Sequence, residues 1–504
     1  MIAVDGEDCT FYAIVLNPTG EPIPELEPDK KVDGKVSTRV RKDRKERIYS
    51  KYIDIVENEN GTPTSIKFKN TEKFNFAYDL VDALAEKDPQ KLAMLHISKD
   101  GTERRLTFKD IKKASNQCAN YFKSLGIKKG DRVMLVLKRH YQFWYCMMAL
   151  NKLGAIVIPA TNQLQEHDFE YRFKSAGVTA IVCTADGETA EQVDIAAQKC
   201  DCLKHKLIVN GKRDGWRDFD EEYPLYSTHF KRTEDSPCGD DLMLMYFTSG
   251  TTGNPKIAMH NYKYPLGHFI TARYWHNVRP NGLHFTISDT GWGKALWGKL
   301  YGQWLCEAAT FTYDFDRFTP EDILPMFAKY GITTFCAPPT MYRFFIRDDL
   351  SKYDLSSIEY ATTAGEALNP EVYNRFYAET GLKIMEGFGQ TETTLSIGNL
   401  VGSQPKIGSM GRPSPLYDVK LLDAEGNECS AGETGEICID LSKGNPCGLF
   451  KGYYLDDEHT NEVIYDGFYH TGDTATIDED GYFWFVGRID DMIKSAGFRI
   501  SPFE

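Results

Sequence analysis

No stretch of this chain is apolar enough to cross a bilayer. The best candidate, residues 143–159, is broken by Asn151, Lys152 and Gly154, and a spanning helix needs about 20 predominantly apolar residues. It reads instead as a buried helix followed by the strand Ala155-Ile156-Val157-Ile158. The N-terminus lacks a basic start followed by an apolar stretch, so no secretory leader is expected. The twelve cysteines include no CxxC pair, the tightest spacing being Cys200-Asp201-Cys202. That argues against a zinc ribbon or a redox dithiol, and for reduced thiols in a cytoplasmic protein. Positive charge is not in surplus either. A net charge of -14 excludes a general nucleic-acid binder while leaving room for a local phosphate pocket. Fixed-period repeats and low-complexity tracts are missing. What remains is 41% apolar residues, enough for real cores, in 504 residues, too many for one. About two to four domains or subdomains are expected.

Residues 1–45 differ in texture from the rest. Pro and Glu concentrate at 17–30, and a basic run follows: Arg39, Arg41, Lys42, Arg44, Lys45, Arg47. The stretch reads as a solvated arm, extending to residue 73. Regular patterning starts near Phe74, with apolar residues at helical spacing from Phe76 to Leu84. Asp131–Leu137 reads as a buried strand, then a helix at 143–150 and a strand at 155–158. A second series runs from Asp241 to Met385, with strands at Thr333–Ala337 and Tyr360–Ala364. Strand, helix, strand in succession implies βαβ units and largely parallel sheets. After Val401 the strands shorten and turns multiply, as in Asp418–Leu422 and Gly435–Ile439 around Ala424-Glu425-Gly426-Asn427. The expectation is an α/β chain with a large domain at 74–488. That domain has two βαβ-type subdomains and a small β-rich one at about 401–488.

Four motifs carry chemistry. Tyr246-Phe247-Thr248-Ser249-Gly250-Thr251-Thr252-Gly253-Asn254-Pro255-Lys256 is a strand ending in hydroxyls and glycines closed by a lysine. Glycines let backbone N–H groups approach an anion, and Thr, Ser and Lys add donors and charge. Pro255 before Lys256 and Ile257 after it rule out a Walker A loop. The second motif is Glu386-Gly387-Phe388-Gly389-Gln390-Thr391-Glu392-Thr393. An aromatic face there can stack on a base, and a carboxylate such as Glu392 can hold Mg²⁺. In Tyr469-His470-Thr471-Gly472-Asp473, Asp473 can accept both hydroxyls of a ribose, although an Asx-type turn explains it as simply. The fourth, Gly487-Arg488-Ile489-Asp490-Asp491, supplies a further cation in Arg488.

Taken in order, these motifs resemble the core motifs of the adenylate-forming superfamily: acyl-CoA synthetases, luciferases and peptide-synthetase adenylation domains. The resemblance covers residue 74 to the end. Phe74-Asn75-Phe76-Ala77-Tyr78-Asp79, Ser288–Lys294, Ala337–Tyr342 and Ala364–Pro370 make it most similar to the medium-chain and branched-chain acyl-CoA synthetases. The resemblance implies ATP, Mg²⁺ and coenzyme A as reaction partners of a carboxylic acid. It also implies roles. Thr248, Ser249, Gly250, Thr251, Thr252, Gly253 and Lys256 would grip the phosphates. Gly365, Glu366 and Ala367 would line the adenine, with Phe388 on its face. Glu386, Gly387, Gly389 and Gln390 complete the nucleotide turn. Thr391 would touch the α-phosphate, Glu392 would hold Mg²⁺, and Asp473 and Arg488 would bind the ribose. Thr248, Lys256, Thr391 and Glu392 form the implied catalytic set. Asp490 would be the hinge, in a segment 489–504, and Ser495, Gly497 and Arg499 would meet CoA. The family continues past such a hinge with a small domain, essentially absent before Glu504. The expectation is therefore ATP binding with slow adenylation and little thioester formation.

The acid is less constrained. Acetate-specific relatives place a tryptophan where this chain has Gly389, so glycine is expected to leave room for more carbons. A Gly389→Trp change is then expected to shift preference toward acetate or propionate. Trp275, Trp292, Lys294 and Trp297 are the other candidate pocket residues, with the tryptophans as plain core packing the simpler alternative. Short-to-medium fatty acids, branched ones included, are expected. An aryl-CoA ligase, a carrier-loading adenylation domain and a non-catalytic nucleotide-binding remnant stay open. The oligomeric state is not encoded in any motif.

Overall fold

The computed structural model describes residues 2–4, 11–13, 47–248, 254–489, 493–495 and 498–500. The chain divides into two units, Met1–Ser50 and Lys51–Glu504. In the first, Ile2–Val4 pairs antiparallel with Phe11–Ala13. Everything below concerns the second.

Two large sheets carry the second unit. The seven-stranded sheet runs, edge to edge, through Arg217–Asp218, His205–Val209, Val178–Thr184, Arg132–Val136, Ile156–Pro159, Leu242–Thr248 and Lys256–Asn261. All neighbours are parallel except the last pair. Its strands are continuous apolar runs because helices cover them, and Met134, Val136, Ile158, Val178, Ile181 and Met245 meet in one core. The nine-stranded sheet holds, in its middle, Ile384–Phe388, Tyr360–Thr363, Thr334–Cys336, Leu283–Thr286, Ala309–Tyr313 and Leu92–Ile97. These neighbours are all parallel. Phe285, Phe311, Phe327 and Phe335 dominate its core.

A third sheet, antiparallel, contains Val419–Leu422, Thr434–Asp440, Phe468–Ile477 and Phe483–Arg488. This is the β-rich region expected after Val401. The strands expected from the sequence appear within a residue or two of their places, and the helix expected at 143–150 is Gln142–Leu153, three residues longer at its end. It ends where Gly154 turns left-handed at φ 89°. One element was not anticipated. Ile53–Glu57 and Pro63–Phe68 form a hairpin inside the stretch read as an arm. Alternation of short polar and apolar residues there is too weak to announce strands by itself.

The Phe74–Asp79 motif has a structural task. The Asn75 amide is buried and donates to the carbonyls of Asn151 (3.0 Å) and Pro237 (2.9 Å), while its oxygen accepts from the Ala77 amide at 3.0 Å. It ties the first helical turns, Ala77–Asp82, to the end of the Gln142–Leu153 helix.

Candidate active site

The glycine- and hydroxyl-rich loop joins two antiparallel strands. Thr248 and Lys256 are register partners across that pair. A strand follows the loop, where a Walker A loop would lead into a helix. Ser249, Gly250, Thr251, Thr252 and Gly253 lie outside the described residues. The Lys256 ammonium stands 5.3 Å from the Tyr453 ring centroid. The Tyr453 hydroxyl donates to the Glu392 carboxylate at 3.0 Å. Backbone bonds from Met259 to Gly452 (3.1 Å), Lys451 to Met259 (2.7 Å) and Tyr454 to Ile257 (2.8 Å) hold Tyr453 there. Lys256 and Glu392 thus become neighbours through a tyrosine that belongs to neither motif.

Glu392 is buried. Burial pushes its carboxyl up, against the pull of Lys256 and Arg488. Among the described residues it has no ion pair, so a cation brought in with the nucleotide would relieve the cost of burying its charge. Thr391, its neighbour, is placed by its carbonyl, which accepts from His260 Nε2 at 2.8 Å. Burial holds His260 down at about 4, so the ring is neutral and Nε2 carries the proton. Gly387 belongs to the same turn. A Cβ there would lie 2.6 Å from Trp275 Cε2 and from Leu395 Cδ1, so only glycine fits.

Asp473 and Arg488 are register partners on adjacent strands. Their side chains approach at 3.5 Å. Burial raises the Asp473 carboxyl to about 6, with Arg488 pulling the other way. Gln390 bridges to this pair. Its amide donates to Asp473 at 2.5 Å and to the Thr471 carbonyl at 2.8 Å, and its oxygen accepts from Tyr469 at 2.7 Å. Phe388 is half-buried, and Gly365 and Ala367 are exposed, with Gly365 at φ 104°.

On the other side of Thr391 lies the helix Gly293–Gly298. A Cβ on Gly293 would be 3.9 Å from Thr391 Oγ1. Lys294, next in line, donates to the Ala364 carbonyl at 2.6 Å, and burial lowers its ammonium pKa. Trp297 is buried and meets Trp275 edge-on, ring centroids 6.2 Å apart.

A scan against known families matches the AMP-binding enzyme model over residues 81–454. The chain belongs to the AMP-binding enzyme family. Human acyl-coenzyme A synthetase ACSM3, mitochondrial, is 37% identical over 474 residues, covering 90% of this chain and 80% of that protein. Rat ACSM5, mitochondrial, is 38% identical over 443 residues, covering 86% and 75%. Among solved structures, the anthranilate CoA ligase AuaEII with anthranoyl-AMP superposes at TM-score 0.78. It is 25% identical and covers 86% of this chain and 81% of its own. A Brucella canis acyl-CoA synthetase gives 0.76 at 28% identity, covering 86% and 78%.

The family relationship and the geometry correct several expectations. The cytoplasmic location is overturned by relatives named as mitochondrial. Reduced thiols, the basis of that expectation, do not choose between one reducing compartment and another. The Gln390 amide donates to Asp473 and to the Thr471 carbonyl. The Glu366 carboxylate turns to Thr340 (2.8 Å) and Arg343 (3.3 Å). Trp292 is 57% exposed and walls no enclosed pocket. Gly389 leaves no empty room, because a Cβ there would lie 2.4 Å from Trp297 Cη2 and 2.4 Å from the Thr394 carbonyl. Trp297 fills that space from across the fold. Asp490 and Gly497 lie outside the described residues; Ser495 and Arg499 fall on the strand pair Ile493–Ser495 and Phe498–Ile500.

Glu386 is the remaining correction. Its carboxyl is buried and accepts from the Leu368 amide at 3.2 Å, bracing the loop after Gly365 instead of facing a ligand. Burial raises it to about 8. The folded state therefore keeps a proton that the unfolded state loses, and stability falls as pH rises from about 4.5 to 8. The slope from one such group is at most about 1.4 kcal/mol per pH unit. Glu386→Gln should flatten it, with little loss of stability at pH 7. Thermal melts of both proteins from pH 5 to 8 check this, and parallel curves would count against it.

Proposed function

We propose that this chain is an AMP-forming acyl-CoA synthetase that activates short carboxylic acids. The observation that carries the reading is the gathering of Lys256, Glu392, Thr391 and the Asp473–Arg488 pair from four sequence motifs. In the first half-reaction a carboxylate oxygen bonds to the α-phosphorus of ATP, the α–β bridging bond breaks, and pyrophosphate leaves. In the second, the CoA sulfur bonds to the acyl carbon and AMP leaves. No side chain need act as nucleophile, so the chain supplies position and charge.

Each group has a task in that scheme. Lys256 and the hydroxyls of its loop neutralise the β- and γ-phosphates. Thr391, anchored by His260, meets the α-phosphate. Asp473 accepts the ribose hydroxyls, and Arg488 keeps it ionised. Phe388 and the exposed Gly365–Ala367 edge form the adenine shelf. Glu392 fits Mg²⁺: a buried carboxylate with no ion pair among the described residues, beside a phosphate loop. Bound there, the ion would offset charge on the phosphates. Lys294 faces the acid, and Trp297 with Trp275 limits its length.

The test is carboxylate-dependent ATP–pyrophosphate exchange over acids from acetate to decanoate, with 2-methylbutyrate and benzoate. Exchange is expected with the short members, straight and branched. Exchange with none, despite ATP binding, would overturn the reading in favour of a binding protein. Exchange with benzoate alone would make the chain an aryl-CoA ligase.

A further inference from the structure

Three side chains in the β-rich sheet converge on one point. Glu436 and Cys438 lie two residues apart on Thr434–Asp440, and His470 on Phe468–Ile477 is the register partner of Cys438. One ligand atom from each lies within 4.8 Å of the other two. His470 Nδ1 is 3.4 Å from Cys438 Sγ and 3.0 Å from Glu436 Oε2. A proton on Nδ1 would go chiefly to the carboxylate, with the sulfur as a weak second acceptor; without it, the Nδ1 lone pair, the sulfur and Oε2 all present electrons to the same point.

The surroundings hold the three groups in place. Tyr465 stacks flat on the imidazole, centroids 3.7 Å apart and planes within 2°. Glu436 Oε1 accepts from the Gly472 amide at 2.9 Å, which aims Oε2 at the ring. His470 Nε2 is buried without a hydrogen-bond partner. A divalent ion would take the Nδ1 lone pair, the sulfur and Oε2 together. The thiol proton would go to solvent, with no change of oxidation state. Nitrogen, sulfur and one carboxylate oxygen select zinc-class ions over Mg²⁺ or Ca²⁺, with water completing a tetrahedron.

We propose that Glu436, Cys438 and His470 bind one zinc-class divalent ion, separate from the Mg²⁺ that accompanies ATP, and that its binding restrains nucleotide entry. The restraint follows from connectivity. Glu436 holds the Gly472 amide, and Asp473 is the next residue. An ion on Oε2 withdraws charge from the carboxylate, which weakens the bond Oε1 accepts from the Gly472 amide and loosens the turn that carries Asp473. This second part rests on the reading of Asp473 as the ribose contact; the metal site itself does not.

The test is titration of metal-stripped protein with Co²⁺, followed by near-ultraviolet absorption. One equivalent should produce a thiolate-to-cobalt charge-transfer band. Cys438→Ala should abolish the band, and Glu436→Gln should weaken binding at least tenfold. No band in the unmodified protein, or a band unchanged in Cys438→Ala, would overturn the site. Zn²⁺ at one equivalent, with saturating Mg²⁺, should raise KM for ATP severalfold in the unmodified protein and leave it unaltered in Cys438→Ala. A Co²⁺ band with no such rise would overturn the coupling to Asp473 alone.

Discussion

Trp297→Ala is expected to move the preferred acid toward longer chains. The indole fills the space that Gly389 leaves open, and its tip lies 2.4 Å from where a Cβ on Gly389 would be. Removing it would leave a slot beside Gly389, two residues along the chain from Thr391. Each methylene that enters such a slot gains about 0.8 kcal/mol, or about fourfold in kcat/KM. At that increment per carbon, hexanoate should gain roughly two orders of magnitude relative to propionate and octanoate roughly three. The truncation also costs about 3–5 kcal/mol of stability, since the indole is buried. Trp297→Leu, which removes less volume, is the companion variant and should give a smaller shift in the same direction. The same geometry reverses the expectation for Gly389→Trp. A Cβ at 389 would meet the Thr394 carbonyl at 2.4 Å, so that change should depress activity with every acid and not favour acetate. Chain-length profiles of the three variants decide the matter. A profile unmoved by Trp297→Ala would mean that the acid does not pass this wall.

The two sheets were legible because parallel strands buried on both faces are uninterrupted apolar runs, and Arg132–Val136 and Ile156–Pro159 are such runs. The turns proposed for the nucleotide stood out because glycine, hydroxyl and carboxylate at close spacing have few other uses. Asp473 and Arg488, read as a pair on the ribose, proved to be opposite one another in register. What escaped were contacts made across long stretches of chain. His260 reaches Thr391, Tyr453 reaches Glu392, and Trp297 reaches Gly389, each over at least 61 residues. None of these partners stands in a motif, and an isolated Tyr, His or Trp reads as core packing. The opposite error came from residues inside a motif. Glu386 and Gln390 were given to the nucleotide by their place in the sequence, yet both spend their side chains holding neighbouring loops. A motif conveys that a turn is built for a ligand. It does not convey which of its side chains face that ligand and which hold the turn in shape.

Asp473 should set an acid limit on ATP use. Its carboxyl is raised to about 6 by burial, with Arg488 as the chief opposing influence. Only the ionised form accepts both ribose hydroxyls, so kcat/KM for ATP should rise with pH through an apparent value near 6. Arg488→Gln removes the opposing charge and should move that limb to higher pH. Asp473→Asn should erase the limb altogether. Losing a charged acceptor costs about 1.5–3 kcal/mol, or about 10- to 100-fold in kcat/KM for ATP at pH 7. Folding runs the other way. A carboxyl raised in the folded state contributes stability that is full below its unfolded value of 3.8 and is lost as pH rises through about 6. The free protein should thus lose stability over the same interval in which it gains affinity for ATP. Stabilisation by ATP, read as a shift in Tm, should be larger at pH 7 than at pH 5, and indifferent to pH in Asp473→Asn. If the Asp473→Asn protein kept the full pH dependence, the titrating group would be another, and Asp473 would be an Asx-type turn residue with no part in binding ribose.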